Sequence, residues 1–220
     1  MNRLLACATV ALLGLGAVLG PGNAFAQHEG RALQAAPVVA PGTGSINLAD
    51  VPVWKRITLG SYKGVNQLRK ALDAARVRIG DSADEILGKP AFHFSQTRTD
   101  VDLVVVSVSE LGFQDATPLG EIYRRAGELG LELCPAEVAP LLRLHYVNQP
   151  MGEFLNVAMR PIATYGGELV ALSIANAGTG PLLIGGDGRP ELALNRMAKL
   201  VFVRPARIAS PNVRGQGGPE

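Results

Sequence analysis

The alternation of apolar and polar residues predicts two strands and two helices in the first half of the folded region. Residues 54–59 alternate between apolar and polar side chains, as in a half-buried strand. Apolar residues recur at helical spacing over residues 65–75, and a shorter helix is predicted over residues 81–87. Residues 101–108, VDLVVVSV, are almost continuously apolar and β-branched, which is typical of a strand covered on both faces.

A third helix is predicted to begin near Thr117, whose hydroxyl can cap it, with Pro118 in its first turn. Gly127 lies within this helix, at a cost of about 1 kcal/mol relative to alanine. A neighbouring backbone that passes close to Gly127 would explain the glycine. The residues expected to form the buried stripe of the helix are Leu119, Ile122, Ala126 and Leu129.

Short apolar runs separated by glycine-rich turns follow residue 150 and predict an antiparallel meander. The glycine-rich run at residues 185–188 is interpreted as one of the hairpin turns. It lacks the lysine of a phosphate-binding loop and the repeated acids of a calcium loop. The runs expected to form strands cover residues 154–159, 169–174, 182–184 and 199–203.

Together these elements predict a single α+β domain over residues 53–204, with N-terminal helices packed on a mostly antiparallel sheet and a C-terminal β-meander. The chain has 220 residues, of which 47% are hydrophobic and only 5% aromatic, so one aliphatic core is expected. The formal net charge is +2. This near balance gives no electrostatic reason to expect nucleic acid or an anionic membrane as a partner.

Residues 1–26 are interpreted as a secretory signal peptide, because a basic residue precedes an apolar stretch and Ala-Phe-Ala at residues 24–26 forms a cleavage site. The alternatives for this segment are a transmembrane anchor and lipidation of Cys7. Residues 27–52 are expected to form a disordered linker and residues 205–220 a disordered tail. The protein is therefore expected to be exported, to the periplasm or the medium, without stable membrane insertion after signal cleavage.

Cys134, the one cysteine that follows the signal peptide, is a candidate nucleophile. Pro135 and Glu137 follow it in the pattern of a helix start, where unpaired N–H groups can lower the pKa of a thiol. With His145 as the base and Glu137 orienting it, these residues would form the site of a thiol-dependent hydrolase or transferase. The simpler interpretation is that Cys134 is a small buried apolar residue.

Residues 141–146 alternate, so they are expected to form a strand that presents Arg143 and His145 on an exposed face. Glu132 and Glu137 are expected near this face. The patch of Arg143, His145 and Glu132 is a candidate binding site for an unknown protein or small-molecule partner outside the cytoplasm. The alternative is a solvated strand face with a local ion pair.

No metal site and no cofactor are expected, because the three histidines are scattered at no usual ligand spacing. Asp100 and Asp102 share one strand face and are interpreted as a solvated strand start. The chain has no Gly-x-Ser-x-Gly, His-Glu-x-x-His or Cys-x-x-Cys motif. The sequence thus favours an exported, non-catalytic binding or interaction module, with the thiol-dependent enzyme as the alternative.

The central block GLELCPAEV, at residues 130–138, is the most specific of several segments that look familiar. These segments resemble a family of small bacterial proteins of uncharacterised function. The resemblance implies a single discrete domain, and it implies no activity, cofactor or catalytic residue. The other similar segments lie at residues 54–72, 101–113, 121–123, 142–144 and 202–205.

Overall fold

The computed structural model of the protein describes residues 51–205. The predicted signal peptide, residues 27–50 of the predicted linker and residues 206–220 of the predicted tail lie outside the described residues. The elements in chain order are β1 (Lys55–Leu59), α1 (Val65–Ala74), β2 (Arg78–Ile79), α2 (Asp81–Leu87), β3 (Thr99–Ser107), β4 (Thr117–Pro118), α3 (Leu119–Glu128), α4 (Val138–His145), β5 (Phe154–Val157), β6 (Ile162–Ala163), β7 (Leu169–Ala177), β8 (Gly180–Asp187), β9 (Ala193–Leu194) and β10 (Lys199–Arg204).

The larger of two sheets is mixed and has the strand order β1-β3-β10-β5-β7-β8-β2, with β6 paired to β7. The pairs β10–β5 and β2–β8 are parallel, and the other pairs in this sheet are antiparallel. A second, two-stranded sheet joins β4 to β9. The predicted α+β domain with a mostly antiparallel sheet is therefore confirmed.

Strand β3 lies between β1 and β10 and is covered on both faces, as its apolar sequence predicts. Leu103 packs with α1, α2 and α4 in one cluster of buried residues. Val104 and Val106 point to the opposite face and pack with α3 and with Phe202 of β10. Because successive side chains of a strand point to opposite faces, a run of apolar residues places half of its side chains in each cluster.

The N-terminal end of α3 differs from the prediction. Thr117 does not cap the helix, because it pairs with Leu194 in the small sheet and its hydroxyl donates to the carbonyl of Asp115. Pro118 takes the capping position instead, and the helix begins at the next residue. The close approach expected at Gly127 is also wrong, since a Cβ built there meets no atom within 4 Å.

Residues 141–145 lie in helix α4 and Tyr146 is its C-cap, so the segment does not form a strand, which corrects the interpretation of its alternation. Leucine and arginine are good helix formers, and the segment has no β-branched residue after Val138. A window of six residues is too short to distinguish the hydrophobic period of a strand, 2 residues, from that of a helix, 3.6 residues, when most of the helix surface is buried. Here Leu141, Leu142 and Arg143 are all buried.

The glycine-rich run at residues 185–188 is not a turn, because Gly185 and Gly186 pair with β7 inside strand β8. The hairpin turn between β7 and β8 lies earlier, since Ala177 and Gly180 are the last residues that pair. Gly180 has a φ of 106°, a conformation that glycine adopts without steric cost.

Candidate functional site

The thiol of Cys134 lies inside the protein, where it donates a hydrogen bond to the carbonyl of Val201 at 3.4 Å. The residue is 4% exposed, and its backbone forms a bridge with Met159. Burial raises the pKa of the Cys134 thiol far above its usual range. The expected lowering of this pKa is wrong, because helix α4 begins only at Val138 and the thiol is not at its N-terminus.

We expect Cys134 in the folded protein to resist alkylation by iodoacetamide at pH 7, because the reactive thiolate is suppressed by burial. Mass spectrometry after one hour should show an unmodified thiol. The same protein in 6 M guanidinium chloride should be alkylated fully within that time, which serves as the control. Rapid labelling of the folded protein would contradict the buried position.

Glu137 is also buried, and its carboxylate ties three segments of backbone together. One oxygen accepts a hydrogen bond from the N–H of Ser95 at 3.0 Å, and the other accepts one from the N–H of Gly60 at 3.3 Å. The carboxylate therefore joins the end of β1 and the loop before β3 to the start of α4. It does not orient a histidine.

His145 is exposed and ends α4, whereas Glu137 caps the start of the same helix. A rise of 1.5 Å per residue separates the two ends by about 12 Å. The structure therefore does not assemble Cys134, Glu137 and His145 into one catalytic site. Glu132 is exposed, and its backbone forms a bridge with Val203 of β10.

Arg143, expected on an exposed binding patch, is only 1% exposed. Its guanidinium donates to the carbonyl of Ala175 at 3.0 Å, to the carbonyl of Tyr146 and to Oε1 of Gln149. Desolvation lowers the pKa of Arg143. The predicted patch of Arg143, His145 and Glu132 is therefore wrong, since its central residue is part of the interior.

A different surface stands out beside the loop at residues 147–153. A cavity of about 750 Å³ lies between this loop and the segment that leads into β10. Three large apolar side chains at its edge are exposed: Met151 by 77%, Phe154 by 46% and Met197 by 68%. We refer to this surface as the methionine groove.

The strands next to the methionine groove place small side chains of β7 beside larger ones of β5 and β8. Here β5, β7 and β8 place Phe154 beside Ala175, Ala175 beside Leu182 and Ser173 beside Ile184. Helix α3 packs on the neighbouring strands β3 and β10. Ser173 and Ala175 are buried, and no residue of β7 or β8 lines the groove.

The methionine groove is close to neutral, because Lys199 and Glu153 pair across it at 3.6 Å. Asn156 also lines it and donates a side-chain hydrogen bond to the carbonyl of Lys199 at 3.2 Å. The sequence does not predict this site. Its walls come from two segments, residues 150–156 and 194–199, that are far apart in the chain, and a lone exposed methionine carries no pattern that marks it.

Within residues 51–205 no group of three or more histidine, cysteine, aspartate or glutamate residues is placed to hold a metal ion. The same part of the chain contains no helix that is both long and apolar enough to cross a membrane.

No protein-family model matches the chain, and the searches for similar curated proteins and for similar solved structures find no match. The resemblance of the central block to a bacterial family therefore stays a prediction.

Proposed function

We propose that the protein is a non-catalytic binding module that holds a short apolar segment of a partner polypeptide in the methionine groove. The observation that carries this proposal is the concentration of Met151, Phe154 and Met197 around one cavity. Single exposed apolar residues are normal on protein surfaces, but several grouped at the edge of a cavity are typical of interaction sites.

The chemistry of the lining favours an apolar partner with a variable sequence. Methionine side chains are flexible and polarizable, so they adapt to ligands of different shape. The aromatic ring of Phe154 offers a rigid contact beside them. Since Lys199 and Glu153 neutralise each other, the groove has no net charge that would select a charged ligand.

The size of the site favours a peptide over a second copy of the chain. Eleven residues line the groove, all from residues 150–156 and 194–199. A stable dimer buries about 800 Å² and about 20–30 residues on each partner. The groove therefore matches a short extended segment better than a dimer interface. The predicted signal peptide, if cleaved, places the partner outside the cytoplasm.

The thiol-dependent enzyme receives no comparable support. The Cys134 thiol is buried, its pKa is raised, and His145 is the last residue of α4, at the end farther from Cys134 in the chain. No second function is therefore put forward.

Phage-displayed heptapeptides selected on the wild-type protein should carry two or three apolar residues and bind in the groove. We expect Phe154→Ser to weaken the selected peptide by about tenfold or more, because a buried aromatic contact is lost. Fluorescence anisotropy with the labelled peptide measures the affinity. The matched control is Tyr165→Ser, which removes an exposed aromatic ring that does not line the groove.

Methyl-labelled methionine locates the bound peptide by NMR. The methyl signals of Met151 and Met197 should shift on binding, while that of the buried Met159 should not. Equal loss of affinity in the two serine variants, or peptides that leave both groove methionines unmoved, would contradict the proposal.

A further inference from the structure

We infer that Arg143 and Gln149 are positioning residues for the methionine groove, because they hold the loop at residues 147–153 that forms one of its walls. Their effect on ligand binding rests on the proposed function above. Their effect on the loop itself does not, and it can be measured without any ligand.

The loop has almost no apolar anchor of its own. Among residues 147–152 only Gln149 is buried, while Val147 and Met151 both point outward. Gly152 has a φ of 82°, so the chain turns sharply there. A segment without buried apolar side chains keeps one conformation only if polar contacts fix it.

Gln149 supplies those contacts from both ends of its amide. Its Oε1 accepts from the buried guanidinium of Arg143. Its Nε2 donates to the carbonyl of Glu153 at 3.2 Å and to the carbonyl of Ile174 at 3.4 Å. The side chain thus links helix α4, the end of the loop and strand β7.

Asn176 of β7 completes the attachment. Its side-chain amide donates to the carbonyl of Gln149 at 2.6 Å, and its own carbonyl accepts from the N–H of Gly152 at 2.7 Å. Met151 lies between these two fixed points, so the position of its side chain over the groove depends on them. Arg143 acts through Gln149, and the guanidinium does not line the groove.

Gln149→Glu keeps the hydrogen-bond acceptor of the side chain and removes its donor. One carboxylate oxygen still accepts from Arg143, whereas the other replaces Nε2 and faces two carbonyl oxygens, which it repels. We expect the loop to detach from β7 while the fold persists. Asn148→Asp is the matched control, because it makes the same amide-to-acid change at the exposed neighbouring position.

Backbone ¹⁵N relaxation decides the inference without a ligand. In Gln149→Glu the order parameters of the Met151 and Gly152 amides should fall from about 0.8 to below about 0.6. They should stay unchanged in Asn148→Asp, and the Met159 methyl signal should keep its position in both proteins. Rigid Met151 and Gly152 amides in Gln149→Glu would overturn the inference. If Gln149→Glu does not fold, Gln149→Met removes the side-chain hydrogen bonds to Arg143, Glu153 and Ile174 without adding a charge, and the same two outcomes apply.

The labelled heptapeptide selected on the wild type then tests the link to binding. We expect its affinity to fall about fivefold in Gln149→Glu and to be unchanged in Asn148→Asp, since a mobile wall must be ordered on binding. A mobile loop with unchanged affinity would overturn the link and leave the proposed groove in place. Selection of no groove-binding peptide would refute the proposed function, whereas the relaxation result would still decide whether Gln149 fixes the loop.

Discussion

Replacing Arg143 with methionine is expected to lower the free energy of unfolding by about 3 kcal/mol. The methionine fills much of the same space, so the loss comes from polar groups and not from a cavity. Oε1 of Gln149 and the carbonyls of Tyr146 and Ala175 each lose a donor. A buried acceptor left without a partner costs about 1–3 kcal/mol. The loss at three acceptors exceeds the gain from no longer burying a charge and the unpaired Nε–H of Arg143.

Thermal and urea unfolding of the variant measure this effect, and a loss of 3 kcal/mol corresponds to a fall in Tm of roughly 10 °C. The matched control is Arg124→Met on the exposed face of α3, where the arginine pairs with Glu121 and Glu128. Surface ion pairs contribute about 0–1 kcal/mol, so the control should change little. Similar losses in the two variants would contradict the structural role of Arg143.

The contrast between these two arginines explains why the candidate site was misplaced. Arg143 occurs in a leucine-rich segment, and Arg124 occurs in a segment with charges of both signs. From residue type alone, both arginines are expected to be solvated. Arg143 is buried because the loop after α4 folds back over it and supplies acceptors from Tyr146 and Gln149. Nothing in the local pattern predicts the path of that loop.

The elements predicted well are those whose pattern is long or has clear ends. Strand β3 contains four consecutive apolar residues at positions 103–106, three of them β-branched valines, and α2 is delimited by Gly80 and Gly88. Strand order was not predictable, because β10 pairs with β3 across almost a hundred residues of chain. The parallel pairing of β10 with β5 brings Met197 beside Phe154 and creates the groove.

The two buried charged residues at the ends of α4, Glu137 and Arg143, also have a common role. Glu137 fixes the start of α4 to the backbone of Gly60 and Ser95, and Arg143 fixes its end to β7 and the following loop. Because both ends of this helix are held by side chains, the loop that leaves it starts from a defined position. Glu137 and Arg143 therefore stabilise the position of α4, and neither residue lines the groove.

Replacing Gly185 with alanine is expected to lower the free energy of unfolding by about 2 kcal/mol. The added Cβ would lie 2.7 Å from Oγ of Ser82, 2.8 Å from the backbone nitrogen of Ala83 and 2.8 Å from a methyl group of Val170. The serine hydroxyl can rotate away, but the nitrogen belongs to helix α2 and can move only with the helix. Overpacking of this kind typically costs about 1–3 kcal/mol.

Gly186→Ala is the control, because it introduces the same methyl group into the same strand one residue later. The nearest atom to its Cβ is the carbonyl oxygen of Ala171 at 4.0 Å, so no neighbour has to move. Alanine also reduces the entropy of the unfolded chain, and we expect this variant to be unchanged or more stable by about 0.5 kcal/mol. Urea unfolding of the two variants measures the difference. If residues 185–188 formed an open hairpin turn, both substitutions would have similar effects, whereas a strand pressed against α2 requires that only Gly185→Ala destabilises the fold.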